Sequence, residues 1–386
     1  ADGNTGVGYF ALSANTTGAT NVAVGTSALA ANTTASENTA VGAYALDATT
    51  TGGTNTALGY AALSSNTTAG YNTAVGKAAL EANTTGSENV AVGMAALDAN
   101  TTASYNVGVG ATALGANTTG AGNIAMGYQA LAVNTTANYN TAIGHQALVA
   151  NTTGASNVAI GKNAGASITT GGSNVAVGVN ALDAATTPTD NCAVGVATLG
   201  AVTTGSLNTG CGNSAGANAT TGSNNTFIGC SAATSGAPGG SVTTASNGVY
   251  VADESVTVAH IQVDWTIASD KRDKTDVSPL DLGLDFINKL EPVTYRWDKR
   301  SKYSDDQSVT PDGTHKEEKL EGGFLAQDVE VIENQYGYKH SDKTNLITNL
   351  SEDGQMYGIK YSKLVPMLTK AIQELSTKVE DLEKQL

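Results

Sequence analysis

Charge is scarce in this sequence. Asp, Glu, Lys and Arg together make 14% of the 386 residues, against about 25% in an average soluble domain. Aromatic residues make 5%, and large apolar side chains give way to Ala, Thr, Asn and Gly. That balance excludes a thick-cored globule through most of the length. Six prolines and no glycine at every third position exclude a collagen-like rod. No apolar run approaches the roughly 18 residues of a membrane-spanning helix, so no membrane insertion is expected. Basic residues are almost missing from residues 1–268, where Lys77 and Lys162 face 11 acids. The remaining residues hold 17 basic and 23 acidic side chains. A chain that is acidic at −15 overall, with no basic stripe, is not built for nucleic acid. The three cysteines, Cys192, Cys211 and Cys230, lie 19 apart with no Cys-x-x-Cys pair and no histidine beside them, so no metal site and no cofactor are expected. They read as small residues in Thr, Val or surface positions. The first residues, Ala1-Asp2-Gly3, show neither an initiator Met nor a charged-then-apolar leader, as in a fragment or a processed product.

What fills the first two thirds is a repeat. Asn recurs at 4, 21, 38, 55 and onward to 225, always 17 residues apart and without an insertion. Gly follows each Asn by four positions, from Gly8 to Gly229. Leu usually follows by eight, and a Thr pair by twelve and thirteen. Short alternation after the Asn predicts a strand. The Gly predicts a positive φ or a close backbone approach. The Ala-Leu pair reads as a second short strand, and Asn-Thr-Thr-Gly as the closing turn. Seventeen residues are too few for a helix-turn-helix repeat, whereas one coil of a β-solenoid fits. Like residues then stack about 4.8 Å apart, which allows an Asn ladder beside a thin core of Ala, Val and Leu. Such a slender core predicts an oligomer that buries more surface.

The Asn-x-Ala-Val/Ile-Gly coils, over residues 4–241, resemble those in the heads of trimeric autotransporter adhesins, where three β-rolls pack side by side. They also resemble repeats of phage fibres. The resemblance implies three parallel rolls or an interwoven triple β-helix. Variable positions mark the surface: Tyr9, Tyr60, Lys77, Met94, Tyr128 and His145 at one offset, and Tyr71, Tyr105 and Tyr139, spaced 34, at another. Exposed tyrosines can stack on sugar rings, which makes Tyr71, Tyr105 and Tyr139 candidate receptor contacts. Scattered surface decoration explains them more simply. A regular Thr column can order water as ice-binding surfaces do, but turn chemistry accounts for it more cheaply.

After Gly229 the repeat frays into a junction, residues 242–268. Val249–Val251 and 256–261 alternate like strands, with His260 as a structural residue and Trp265 closing the segment. From residue 269 the composition becomes ordinary. Ser278-Pro279 reads as a helix start running to about Leu290, and 292–297 as a strand. A polar loop follows over 299–319, then a helix after Gly323. Leu368, Ile372, Leu375, Val379, Leu382 and Leu386 are spaced as a heptad seam, a short coiled coil over 364–386.

Four motifs of this second region, residues 269–386, carry a resemblance: Ser269-Asp270-Lys271-Arg272-Asp273-Lys274, Leu290-Glu291-Pro292-Val293-Thr294-Tyr295-Arg296-Trp297, Gly323-Phe324-Leu325-Ala326-Gln327-Asp328-Val329 and Tyr361-Ser362-Lys363-Leu364-Val365-Pro366. In this order they are similar to the C-terminal intramolecular chaperone domain of phage tail fibres, endosialidase tailspikes and myelin regulatory factor. The resemblance implies a module that trimerises, directs folding of the β-structured fibre before it, and cuts itself off at Ala268–Ser269. Ser269 would be the nucleophile and Lys274 the general base. On the dyad alone, Ser269 as a turn cap and Lys274 as a solvated charge is the better explanation; the other three motifs turn the reading toward the dyad. Asp273 stands where that family commonly has an apolar residue, and a carboxylate beside the lysine opposes its activation.

The expectation is therefore a mainly β, trimeric solenoid rod followed by a small α+β chaperone with self-cleaving serine-lysine chemistry. It would belong to a virion tail fibre or appendage, made in the host cytoplasm. Its partners would be two further copies of itself and a host-surface glycan or protein. A bacterial cell-surface adhesin rod is the rival reading. A glycan-degrading tailspike is a weaker one, because paired acids in a cleft are not evident.

Overall fold

The computed structural model describes residues 2–235, 237, 240–253, 255–256, 267–304 and 309–386. They fall into two compact units, one of residues 1–234 with 243–251 and one of 235–242 with 252–386. In the first unit, three-residue strands from β1 (Thr5–Val7) to β14 (Thr226–Ile228) and β15 (Val249–Val251) form a single parallel sheet in chain order. Through β14 each pairs with the next at the repeat register, as Val90 with Val107 and Val92 with Val109. The junction strand Val249–Val251 is thus the fifteenth rung, paired with β14. Successive coils of one chain bond directly to each other, which makes a β-roll and not an interwoven triple helix. The strand expected over 256–261 lies outside the described residues apart from Val256, as do His260 and Trp265.

Each coil turns through left-handed backbone at fixed places. Gly110 has φ 132°, and Thr112, Leu114 and Tyr105 have φ 55°, 54° and 64°. The glycine does two jobs, because a Cβ on Gly110 would lie 2.4 Å from the Gly127 carbonyl oxygen of the next coil. The Ala-Leu segment is therefore a turn and not the expected second strand. A left-handed non-glycine residue costs on the order of 1–3 kcal/mol. Full burial of the leucine returns about as much, and the Leu114 N–H donates to Ala130 O at 3.0 Å.

The core also differs from expectation. Only the middle residue of each strand points inward, and in most coils it is Ala: Ala23, Ala40, Ala57 and Ala74 are fully buried, while β7 and β13 carry Gly108 and Gly210 and β14 carries Phe227 there. The valines on either side face outward, because side chains alternate along a strand and three residues leave a single inward position. Ala permits the opposite walls to approach closely. Where the core varies, volume is exchanged. Leu gives way to Gly165 where Ile168 fills the space, a Cβ there meeting Ile168 Cδ1 at 3.0 Å. Gly216 stands against Phe227 in the same way, at 2.6 Å.

Asparagine braces the coils in two columns. In the first, the Asn38 N–H donates to Asn21 Oδ1 at 3.0 Å while Asn38 Nδ2 donates across the coil to Gly52 O at 3.0 Å. The second, eleven residues further along each coil, was read from the sequence as turn residues. It is buried: Asn100 Nδ2 donates to Asn83 Oδ1 at 2.9 Å and to Ala103 O at 3.0 Å. The threonines beside it donate to the next coil, as Thr101 Oγ1 to Thr118 O at 3.1 Å, so this hydroxyl column is used within the stack.

The second column explains two buried oxygens without a partner, Asn32 Oδ1 and Asn151 Oδ1. Each lies where the column breaks. Above Asn151 stands Ile168. Above Asn32 stands Thr49, whose hydroxyl donates instead to Asn66 O at 3.1 Å. An unsatisfied buried acceptor costs about 1–3 kcal/mol. Thr49→Asn places an amide in a slot already shaped for asparagine and closes the column. We expect it to raise the thermal midpoint of the rod, by about 1 kcal/mol of added stability. An unchanged or lower midpoint would contradict the ladder.

The second unit is built on a different plan. Its core joins Leu282, Phe286, Val329, Ile347, Leu364 and Met367. The elements are α1 (Leu284–Ile287), α2 (Ala326–Gln335) and α3 (Leu364–Glu383), with two hairpins, β16 (Val293–Tyr295) with β17 (Glu321–Gly323) and β18 (Thr348–Leu350) with β19 (Tyr357–Ile359). The helix expected from Ser278-Pro279 is corrected. Residues 278–283 are not helical, and α1 begins only where Glu374 Oε2 of α3 accepts the Leu284 N–H at 2.8 Å. A carboxylate from another element supplies the cap that Ser278 was expected to give. The polar loop is pinned by the Tyr303 hydroxyl, whose single proton is shared between carboxylate oxygens of Asp298 and Asp312 at 2.9 and 3.0 Å.

Candidate active site

The three later sequence motifs converge. Val293–Tyr295 pairs antiparallel with Glu321–Gly323, the Phe324 N–H donates to the Tyr361 hydroxyl at 3.2 Å, and Leu364 enters the core against Phe286 and Val329. Beneath them lies a residue that sequence reasoning missed. Glu333 of α2 is fully buried. Its carboxylate accepts the N–H groups of Leu346, Ile347 and Thr348 at 2.9, 2.7 and 3.0 Å, and the Thr348 hydroxyl as well. One side chain thereby fixes the entry to β18. Its partners lie 13 to 15 residues away, so no local pattern marks it.

The first motif forms a separate, solvent-facing turn. Asp270 caps a single 3-10 turn, Lys271–Asp273, by accepting the Arg272 N–H at 2.9 Å. The Arg272 guanidinium closes on the same carboxylate at 2.6 Å and holds the Asp270 carboxyl below its usual range. The tight turn brings positions five apart together, and Lys274 Nζ donates to Ser269 Oγ at 2.5 Å. Ala268 and Ser269 are both exposed and lie outside regular structure. Among the described residues no ion pair joins Asp273 to Lys274.

The pair thus has contact geometry without seclusion. A lysine works as a base only where burial or neighbouring positive charge disfavours its ammonium. Every residue from 267 to 279 is exposed in the single chain, and Arg272 is already engaged by Asp270.

Two further features are uncovered. On α3, Leu364, Met367 and Ala371 face the unit's own core, while Leu368, Ile372, Leu375, Val379 and Leu382 are exposed. On the rod, the outward residues Val90, Val92, Ile124, Met126, Ile143 and Ile160 form an exposed apolar strip along the sheet. Tyr71, Tyr105 and Tyr139 are 68%, 62% and 70% exposed, two coils apart from one to the next. Cys192 is half-buried, Cys211 and Cys230 are exposed, and all three are free.

Comparison with known proteins places one region. The family model described as chaperone of endosialidase, Peptidase S74, matches residues 269–338, beginning at Ser269 itself. No curated protein and no solved structure matches the chain. A β-solenoid rod followed by this chaperone-type region fits a tail fibre or tailspike with its chaperone domain.

Proposed function

We propose that this chain is one third of a homotrimeric bacteriophage tail fibre or appendage, whose C-terminal unit directs assembly and then releases itself at Ala268–Ser269. The observation that carries the proposal is the 2.5 Å contact between Lys274 Nζ and Ser269 Oγ, on an exposed turn where the family match begins.

The position of the nucleophile dictates the chemistry. Ser269 contributes the nitrogen of the bond to be cut, so its Oγ attacks the carbonyl carbon of its own preceding residue. Neutral Lys274 takes the hydroxyl proton as the C–O bond forms. The C–N bond then breaks, the Ser269 nitrogen receives the proton, and the chain is left joined by an ester between the Ala268 acyl group and Ser269 Oγ. Water adds to that ester, giving a carboxylate at Ala268 and a free amino terminus at Ser269. No other reactant is needed.

Assembly supplies what the isolated site lacks. Three copies of α3 can pair their exposed Leu368–Leu382 seams, and three rolls can cover their apolar sheet strips. Register makes such a helper necessary. Sliding one roll past another by one coil buries nearly the same side chains, so misaligned trimers lie close in energy. A C-terminal unit that associates first fixes the ends together and sets the register. Cleavage afterwards leaves the fibre without an easy route back. Tyr71, Tyr105 and Tyr139 are the surface offered to a host receptor, and the virion is the expected location. Intact-mass analysis of the cut and light scattering of the assembly test the proposal: equal cutting with and without the Ser269 hydroxyl, or a stable particle of one chain mass, would contradict it.

A further inference from the structure

The turns following β3 (Thr39–Val41), β4 (Thr56–Leu58) and β5 (Thr73–Val75) enclose an open groove of about 530 Å³, lined by Tyr44, Asp47, Tyr60, Ser64, Ser65 and Glu81 with two alanines. Its size lies within the range of small-ligand sites, about 300–1,000 Å³. Tyr44 and Tyr60 meet edge to face, ring centroids 5.8 Å apart at 79°. They form an aromatic corner whose rings stay 41% and 54% exposed. Asp47, Ser64 and Glu81 occupy the same repeat position on consecutive coils. The two carboxylates therefore stand two rungs apart, about 10 Å at the strand spacing, with a hydroxyl between them. Burial lifts the Asp47 carboxyl above its ordinary range. These side chains leave the coil on the turns that follow the strands.

We propose that this groove binds a neutral or amino pyranose oligosaccharide. A pyranose has an apolar C–H face that suits a tyrosine ring, and hydroxyls that donate to carboxylates and exchange hydrogen bonds with serines. The span between Asp47 and Glu81 matches a short run of sugar units. The same carboxylates exclude acidic sugars. Lys77, one of two basic residues in residues 1–268, follows Tyr60 in its column but does not line the groove. The proposal deepens the host-attachment reading above, on which its biological role rests, by naming a site and a ligand class.

The test is calorimetric titration of the whole chain with three probes: a trimer of N-acetylglucosamine, its fully deacetylated form, and a sialic acid trimer. We expect one or both of the first two to saturate and the third not to bind. Tyr60→Ala and Asp47→Ala should each weaken binding about tenfold or more, while Tyr128→Ala, at an exposed residue that does not line the groove, leaves it unchanged. Thermal melts of the variants should match the parent, since Tyr60 is exposed, Asp47 is half-buried, and neither belongs to the core. Failure of both glucosamine trimers to bind, equal binding of the sialic acid trimer, or unchanged binding in the groove variants would each overturn the proposal. Adhesion of the rod to host cells, measured alongside, separates the two readings: adhesion that persists in the groove variants removes this site and leaves host attachment standing.

Discussion

Purified chain carrying Ser269→Ala should remain whole, while the unaltered chain separates into two pieces that meet between Ala268 and Ser269. The expected difference in cleavage rate is on the order of a thousandfold or more, the usual effect of removing a nucleophile that acts together with its base. Lys274→Arg should be as damaging, because a guanidinium stays charged at any working pH and accepts no proton. Intact mass identifies the cut to the residue. Hydroxylamine adds a second readout: it attacks esters, so it should speed separation of the unaltered chain and leave Ser269→Ala untouched. Equal cutting in parent and Ser269→Ala would remove the serine from the chemistry. Because the dyad is exposed and forms no part of either core, both variants should still assemble.

Glu333→Ala should do the opposite and take assembly and cleavage away together. The substitution leaves three backbone N–H groups and a threonine hydroxyl without their acceptor inside the unit. Leaving a buried donor without its acceptor costs about 1–3 kcal/mol, so several together take a large share of the 5–15 kcal/mol that holds a domain. Glu333→Gln keeps the shape and one good acceptor oxygen and should fall between. The measurement is the thermal midpoint of the C-terminal unit, read with the fraction cut and the particle mass. A variant that melts with the parent and still cuts would show that this carboxylate is dispensable. The contrast between the two residues separates chemistry from folding: one variant loses the cut alone, the other loses the unit that makes it.

Much of the rod was legible because its signal repeats. A 17-residue spacing held without insertion admits few folds, and the glycine four residues after each Asn gave both its positive φ and its close approach to the next coil. The orientation of the strand was not legible. Val is the larger and more apolar residue, so it read as core. The narrowness of the roll decides otherwise, favouring Ala or Gly at the inward position unless a facing residue gives up volume, as Gly216 does for Phe227, and sending Val to the outer face. The second Asn column was visible at 66, 83, 100, 117, 134 and 151 but was explained by turn chemistry, since Asn serves both purposes. In the C-terminal unit, Ser269 and Lys274 could be named because they lie close in sequence. Glu333 and the Glu374 cap on α1 could not, because their partners are supplied by chain folded from elsewhere. Tyr44, Asp47, Tyr60 and Glu81 become a group only when the coils are aligned and stacked, which turns residues 34 apart into neighbours two rungs apart.

The central claim is that this polypeptide works in threes. Light scattering on the uncut Ser269→Ala chain tests it most directly, since nothing is then lost to cleavage. The expected particle has three times the 38.7 kDa chain mass, at concentrations down to the detection limit. A folded, stable particle of one chain mass, with its α3 seam and apolar sheet strip open to water, would contradict it.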